Sequence, residues 1–172
     1  MNPAVLSSNT NIYITFFASI LIWLMFFGLA ILWVIDGRVK KELVLHTVIA
    51  VMVAWVITEI IKTLFPTLRP YQVNGMPPIT ISLFKTNGSF PSSHSAVAFS
   101  IAASVYLHNK KIGALFALCA VLVGIGRVIG NVHYPFDIIA GAAIGIIVAY
   151  SISKMHVNNL IAKRKTKKRH RS

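Results

Sequence analysis

The run from Ile12 to Ile35 holds 24 residues and not one charge. A helix of that length with no polar face suits a bilayer rather than a soluble core, because a span needs about 20 consecutive apolar residues. Similar runs occupy 43–61, interrupted only by His46 and Glu59, then 112–125 with an extension towards Gly130, and 138–153. A shorter run, 95–107, is richer in Ala and Ser. Together they predict five membrane helices, an all-α polytopic bundle forming one domain over 1–162, with a basic tail at 163–172. Composition agrees: 12% of residues are charged, against about 25% in soluble domains. The first run exceeds the roughly 7–15-residue core of a secretory signal and lacks a basic leader, so a retained span is expected. The single cysteine, Cys119, lies in an apolar run, which leaves no disulfide or Cys-based metal site.

The net charge of +13 is distributed by topology. All but four of the 17 Lys and Arg fall in the 36–42 loop, at Lys110 and Lys111, or from Lys154 onward. Five crossings put those regions on one side, and the positive-inside rule makes it the cytoplasm. The tail suits anionic lipid headgroups, at about 1 kcal/mol per basic residue near the surface. A basic decamer without a folded reader is a poor nucleic-acid binder, and none is expected as a partner. Lys62, Arg69, Lys85 and Arg127 remain for the opposite face.

Three polar clusters also gather on that face. Lys62 lies near the end of the second run, and Arg69 follows between Pro66 and Pro70, which break the helix. Next comes "FPSSHSAVAF", in which Pro91 suits a helix start and Ser92 or Ser93 can cap it. Such a start is an ordinary cap or an anion site, since its free amides and dipole point at a ligand. The third is "GRVIGNVHYPFD", with Arg127, His133 and Asp137. A helix beginning near Pro135 would put Asp137 in its first turn, within reach of His133. A carboxylate on one imidazole nitrogen fixes the tautomer and frees the other nitrogen to attack. Arg69 supplies a bidentate fork and Lys62 a point charge, a pair matched to a multiply charged oxyanion.

Read as a set, Lys62, six residues, Arg69-Pro70; Pro91-Ser92-Ser93-His94; and Gly126-Arg127, five residues, His133, three residues, Asp137 resemble the three signatures of the type 2 phosphatidic acid phosphatase (PAP2) family, relatives of the vanadium haloperoxidases. Two positions depart from the family pattern: Ser93 stands for a glycine and Gly126 for a serine. The resemblance implies a phosphohydrolase without metal or other cofactor. His133, oriented by Asp137, would be the nucleophile and protonated His94 the acid for the leaving oxygen. Lys62, Arg69, Arg127 and the amides around Ser92 and Ser93 would hold the phosphate. Only four acids exist, Asp36, Glu42, Glu59 and Asp137, too sparse an oxygen shell for a two-metal site. Glu59 is expected to orient Lys62.

The resemblance extends to small bacterial undecaprenyl-diphosphate phosphatases. A lipid phosphate or diphosphate is therefore the expected substrate, met on the extracytoplasmic side of the cell membrane. A phosphatidylglycerophosphate or phosphatidate phosphatase is the alternative within the family. A channel or transporter would need polar residues in mid-span, and here they cluster at one face. A haloperoxidase would be soluble and much larger. A non-catalytic anchor with a basic tail would leave the motif residues without a purpose.

Overall fold

The computed structural model describes residues 8–35, 38–80 and 88–169. Asp36, Lys85 and the last three residues of the expected tail lie outside that set. Helix α1 (Ser8–Thr15) passes through a π-helical turn, Phe16–Ile20, into α2 (Leu21–Ile35) as one continuous outer rod. It is followed by α3 (Arg38–Leu64), the short α4 (Pro70–Asn74), α5 (Ser93–His108), α6 (Lys110–Ile129) and α7 (Pro135–Arg169). Among the described residues there is no strand. The helix of α7 continues through Arg169, so much of the basic segment prolongs the last span.

Among the described residues, four helical stretches are long and apolar enough to cross a membrane: Ile12–Ile35, Leu43–Leu64, Lys110–Ile129 and Pro135–Met155. The fifth helix, α5, has 16 residues and sits in the middle, packed against α3, α6 and α7. Its position explains its composition. A helix surrounded by protein needs small side chains so that neighbours can approach, and Ser93, Ser95, Ala96, Ala98, Ser100, Ala102 and Ser104 are all buried. The outer helices show the reverse: Trp23, Phe27, Leu115, Leu118 and Ile147 are exposed on their outward faces, where lipid is the solvent.

Close approach is most acute between α5 and α7. A Cβ added at Gly141 would lie 2.4 Å from the Ser92 carbonyl oxygen, and one at Gly145 would lie 2.3 Å from that of Ala96. Only hydrogen fits at both places, and the Gly-x-x-x-Gly spacing keeps both glycines on one face. A second layer of core, with Met25, Leu29, Ile101, Phe116 and Val123, joins the outer rod to α5 and α6.

Proline ends what hydrophobicity begins. After Leu64, Pro66 cannot extend α3, and Pro70 restarts the chain at the first turn of α4. The C-terminal ends of α3 and α6 and the N-terminal ends of α5 and α7 thus meet at one end of the bundle. Lys41, Lys110, Lys111 and Lys154 are exposed at the other.

Candidate active site

The start of α5 is built by its serines. Ser92 is the N-cap, its Oγ accepting from the Ser95 amide at 3.3 Å. Its own amide donates to the Asp137 carbonyl at 3.0 Å, which ties the first turn of α5 to that of α7. Ser93 instead turns towards α3. Its Oγ donates to Glu59 Oε1 at 2.8 Å and accepts from Thr58 Oγ1 at 3.1 Å and, more closely, from Lys62 Nζ. The side chain at this departure from the family pattern is thus engaged with α3, its proton directed at a carboxylate.

Lys62 is in the last turn of α3 and only 2% exposed. Glu59, one turn earlier on the same face, accepts from its Nζ at 3.0 Å, as its spacing predicts. Arg69 precedes α4 and is buried, with its Nη2 donating to the Gly88 carbonyl at 3.2 Å. Gln72 caps the Arg69 amide at 2.8 Å and so fixes the backbone from which the guanidinium reaches inward. Arg127, in the last turn of α6, is 1% exposed. Its Nη1 donates to the Ala18 carbonyl at 3.4 Å, and its Nε has no partner among the described residues.

The Ala18 contact has a local cause on each side. A π-helical turn interrupts the regular carbonyl ladder, and Ala18 lies in one. Gly126 then lets α6 close on it: an added Cβ would sit 2.7 Å from the Ala18 nitrogen. The glycine that replaces the family's serine is therefore a packing requirement of this chain's outer rod.

His133 and Asp137 are both buried, and the expected reach across the start of α7 is present, with His133 Nδ1 3.4 Å from Asp137 Oδ2. The same oxygen accepts from Ser89 Oγ at 2.5 Å and from the Tyr134 amide at 2.9 Å. Ser89 also lies 3.4 Å from His133 Nδ1. Its backbone is pinned by the Thr67 carbonyl and hydroxyl, which take its amide at 2.9 and 3.1 Å. Ser89 is absent from the sequence expectations because it stands one residue outside the quoted motif. A serine preceding a Phe-Pro pair carries no signal of a partner in another helix.

The cations and both histidines converge on one cavity of about 450 Å³, with Ser92, Ser89 and Asp137 behind its lining. Lys62, Arg69, His94, Arg127 and His133 line its polar end together with Glu59 and Ser93. Burial holds His133 down to about 4, the nearby Arg127 and Arg69 adding to the effect and the hydrogen bond with Asp137 opposing it. His94, at the mouth of α5, is held well below its ordinary value by burial and by the positive field of Arg127, His133, Lys62 and Arg69. Three buried cations against two carboxylates is a costly arrangement for an empty pocket, and an anion relieves it. With Nδ1 facing Asp137, the imidazole is oriented so that Nε2 is the ring nitrogen able to attack an electrophile. No group of three His, Cys, Asp or Glu with metal-ligand spacing occurs among the described residues.

Comparison with known proteins identifies the family of the chain. The chain is 32% identical over 143 residues to the bacitracin transport permease protein BcrC of Bacillus licheniformis, covering 83% of this chain and 70% of that one. It is 25% identical over 119 residues to the undecaprenyl-diphosphatase BcrC of Bacillus subtilis, covering 69% and 61%. Its fold matches the crystal structure of Aquifex aeolicus LpxE with a TM-score of 0.71 and 30% identity, over 86% of this chain and 87% of that one. Residues 42–161 match the PAP2 superfamily profile. An all-helical membrane protein with a polar cup at one end of its bundle, this chain belongs to the PAP2 superfamily of phosphatases.

Proposed function

We propose that this chain removes the terminal phosphate of a polyprenyl diphosphate, undecaprenyl diphosphate in particular, through a phosphohistidine and without a metal ion. The observation that carries the reading is the convergence of Lys62, Arg69 and Arg127 with two histidines on one cavity that opens among apolar helices. His133 Nε2 attacks the terminal phosphorus. The bond from phosphorus to the bridging oxygen breaks, and His94 delivers its proton to that oxygen, releasing the lipid monophosphate. Water then attacks the phosphohistidine and gives a proton to His94, the P–N bond breaks, and inorganic phosphate leaves. Asp137, held by Ser89 and the Tyr134 amide, keeps His133 in the attacking tautomer and stabilises its charged form. The three cations and the first amides of α5 hold the nonbridging oxygens, where transition-state charge spreads.

Bound phosphate also resolves a conflict in the free site. Burial and the positive field keep the proton off His94 in the free site; a dianion between the cations offsets the field and favours the charged acid when the leaving oxygen needs it. The two carboxylates of the cup are engaged with Lys62 and His133, which supports a reaction that relies on cations of the chain itself. A transport path, which the name of the Bacillus licheniformis relative brings to mind, would need polar residues along the spans. Here the cavity turns apolar within the bundle. The basic end of the bundle faces the cytoplasm on this reading, with the C-terminal tail there, and the cup faces outward.

The test is a panel of undecaprenyl diphosphate, phosphatidylglycerophosphate and phosphatidate given to purified protein in detergent with EDTA. The diphosphate is expected to give the highest kcat/KM, and His133→Ala is expected to abolish phosphate release. Preference for either glycerophospholipid would reassign the substrate. Turnover surviving in His133→Ala would end the phosphohistidine mechanism.

A further inference from the structure

The cavity does not end at the phosphate cup. From Lys62 it continues along α3 past Trp55 to Met52 and Val51, walled on the other side by Ile20, Trp23 and Phe26 of the outer rod. Lys62 to Met52 is ten residues of helix, about 15 Å at 1.5 Å per residue. Trp23, Met52 and Trp55 are 60%, 54% and 46% exposed, so the trough is open sideways along its length. Its floor is closed by buried side chains such as Ile22 and Val97. Ile20 to Phe26 precede the matched region 42–161, so one wall lies outside what the family profile covers.

Resting on the lipid-phosphatase reading, we propose that this trough holds the first stretch of the substrate's hydrocarbon chain, with Trp23, Met52 and Trp55 as specificity-determining residues. One continuous cavity has a cationic end and an apolar flank, and only an amphiphile with phosphate at its tip satisfies both. A soluble phosphate ester would fill the cup and leave the flank bare. The chain leaves laterally through the open side into the bilayer, so only the first part needs to be recognised. The trough is also held in register with the cup: the wall carrying Ile20 and Trp23 begins next to Ala18, whose carbonyl grips Arg127.

The experiment compares two diphosphates with the same headgroup, undecaprenyl and isopentenyl, on wild type, Trp23→Ala and Met52→Ala. Both side chains are exposed, so neither variant removes core packing. With the long chain, KM is expected to rise about tenfold at nearly constant kcat, as for a binding contact made equally in ground and transition states. With isopentenyl diphosphate both constants are expected to stay within about twofold of wild type. Met52→Trp, which narrows the trough, is expected to impair the long substrate alone. Equal losses on both substrates, or no change on either, would overturn the proposal. Should wild type prefer phosphatidylglycerophosphate, the substrate assignment fails while long- and short-acyl forms of that lipid still test the trough. Lipid binding to His133→Ala protein, with and without Trp23→Ala, reads the trough without turnover; an unchanged affinity would also overturn it.

Discussion

Both ends of this bundle are positively charged, and they are built in opposite ways. At the basic end Lys41, Lys110, Lys111 and Lys154 stand exposed, each free to be hydrated and screened. At the cup Lys62, Arg69 and Arg127 are buried and held by named partners from other parts of the chain. The first arrangement acts by summed charge and tolerates loss of any one member. The second fixes geometry, so each member acts through its position.

The sharpest way to break that contrast is to keep charge and change shape. Arg127→Lys leaves the net charge untouched but removes the fork that reaches Ala18 and, on the proposed mechanism, the phosphate. It is expected to lower kcat/KM by about 10²–10³-fold, the usual cost of one transition-state donor. Ser89→Ala comes next, because it removes the shortest bond to the Asp137 carboxylate. Loss of a bond to a charged group, about 1.5–3 kcal/mol, corresponds to a fall of roughly ten- to a hundredfold in kcat, while KM moves little.

Titration sharpens the comparison further. On the proposed mechanism His133 must be neutral to attack, and its lowered value of about 4 keeps it so throughout the neutral range. His94 must be charged, and its lowered value in the free site opposes this as pH rises. The profile of kcat/KM, which reports the free protein, is therefore expected to fall on its alkaline side earlier than that of kcat, where phosphate is bound, by up to about tenfold per pH unit between the two limbs. Coincident limbs in steady-state profiles would count against the phosphate-assisted charging of His94.

Smaller effects test the scaffold. Gly126→Ser restores the family's usual residue, yet it places a Cβ against the Ala18 backbone. It is expected to destabilise by about 1–3 kcal/mol, seen as a lower unfolding midpoint in detergent. At the far end, Lys110→Ala with Lys111→Ala is expected to change stability by less than about 0.5 kcal/mol and leave kcat/KM unaltered.

How much of this is legible in the chain depends on the range of the interaction. The outer spans are plain because lipid-facing helices must be apolar throughout. Contacts dictated by local geometry are plain too: a serine cap at Ser92 or Ser93, which the fold assigns to Ser92, Glu59 beside Lys62, and Asp137 beside His133. The resemblance to a known family then joined three distant clusters that periodicity alone leaves separate. What stays hidden depends on where the fold brings the chain back on itself. Ser89 acquires its role only when a residue 48 positions away meets it. The Ala18 contribution is a backbone carbonyl in a π-helical turn, and no side chain announces it. Helix α5 reads weakly because hydropathy measures fitness for lipid, whereas this helix is solvated by protein.

One feature of the outer rod reaches beyond catalysis. Arg127 is footed on a helix that faces the bilayer, while His94 and His133 sit where α5 and α7 are seamed by Gly141 and Gly145. A membrane that thins or thickens tilts its outermost helices first. Headgroup grip would then drift with acyl length of the host lipids, while the bond-breaking machinery keeps its spacing. Assays in vesicles of graded thickness would register this as a changing KM over a steady kcat, and the reverse pattern would exclude it.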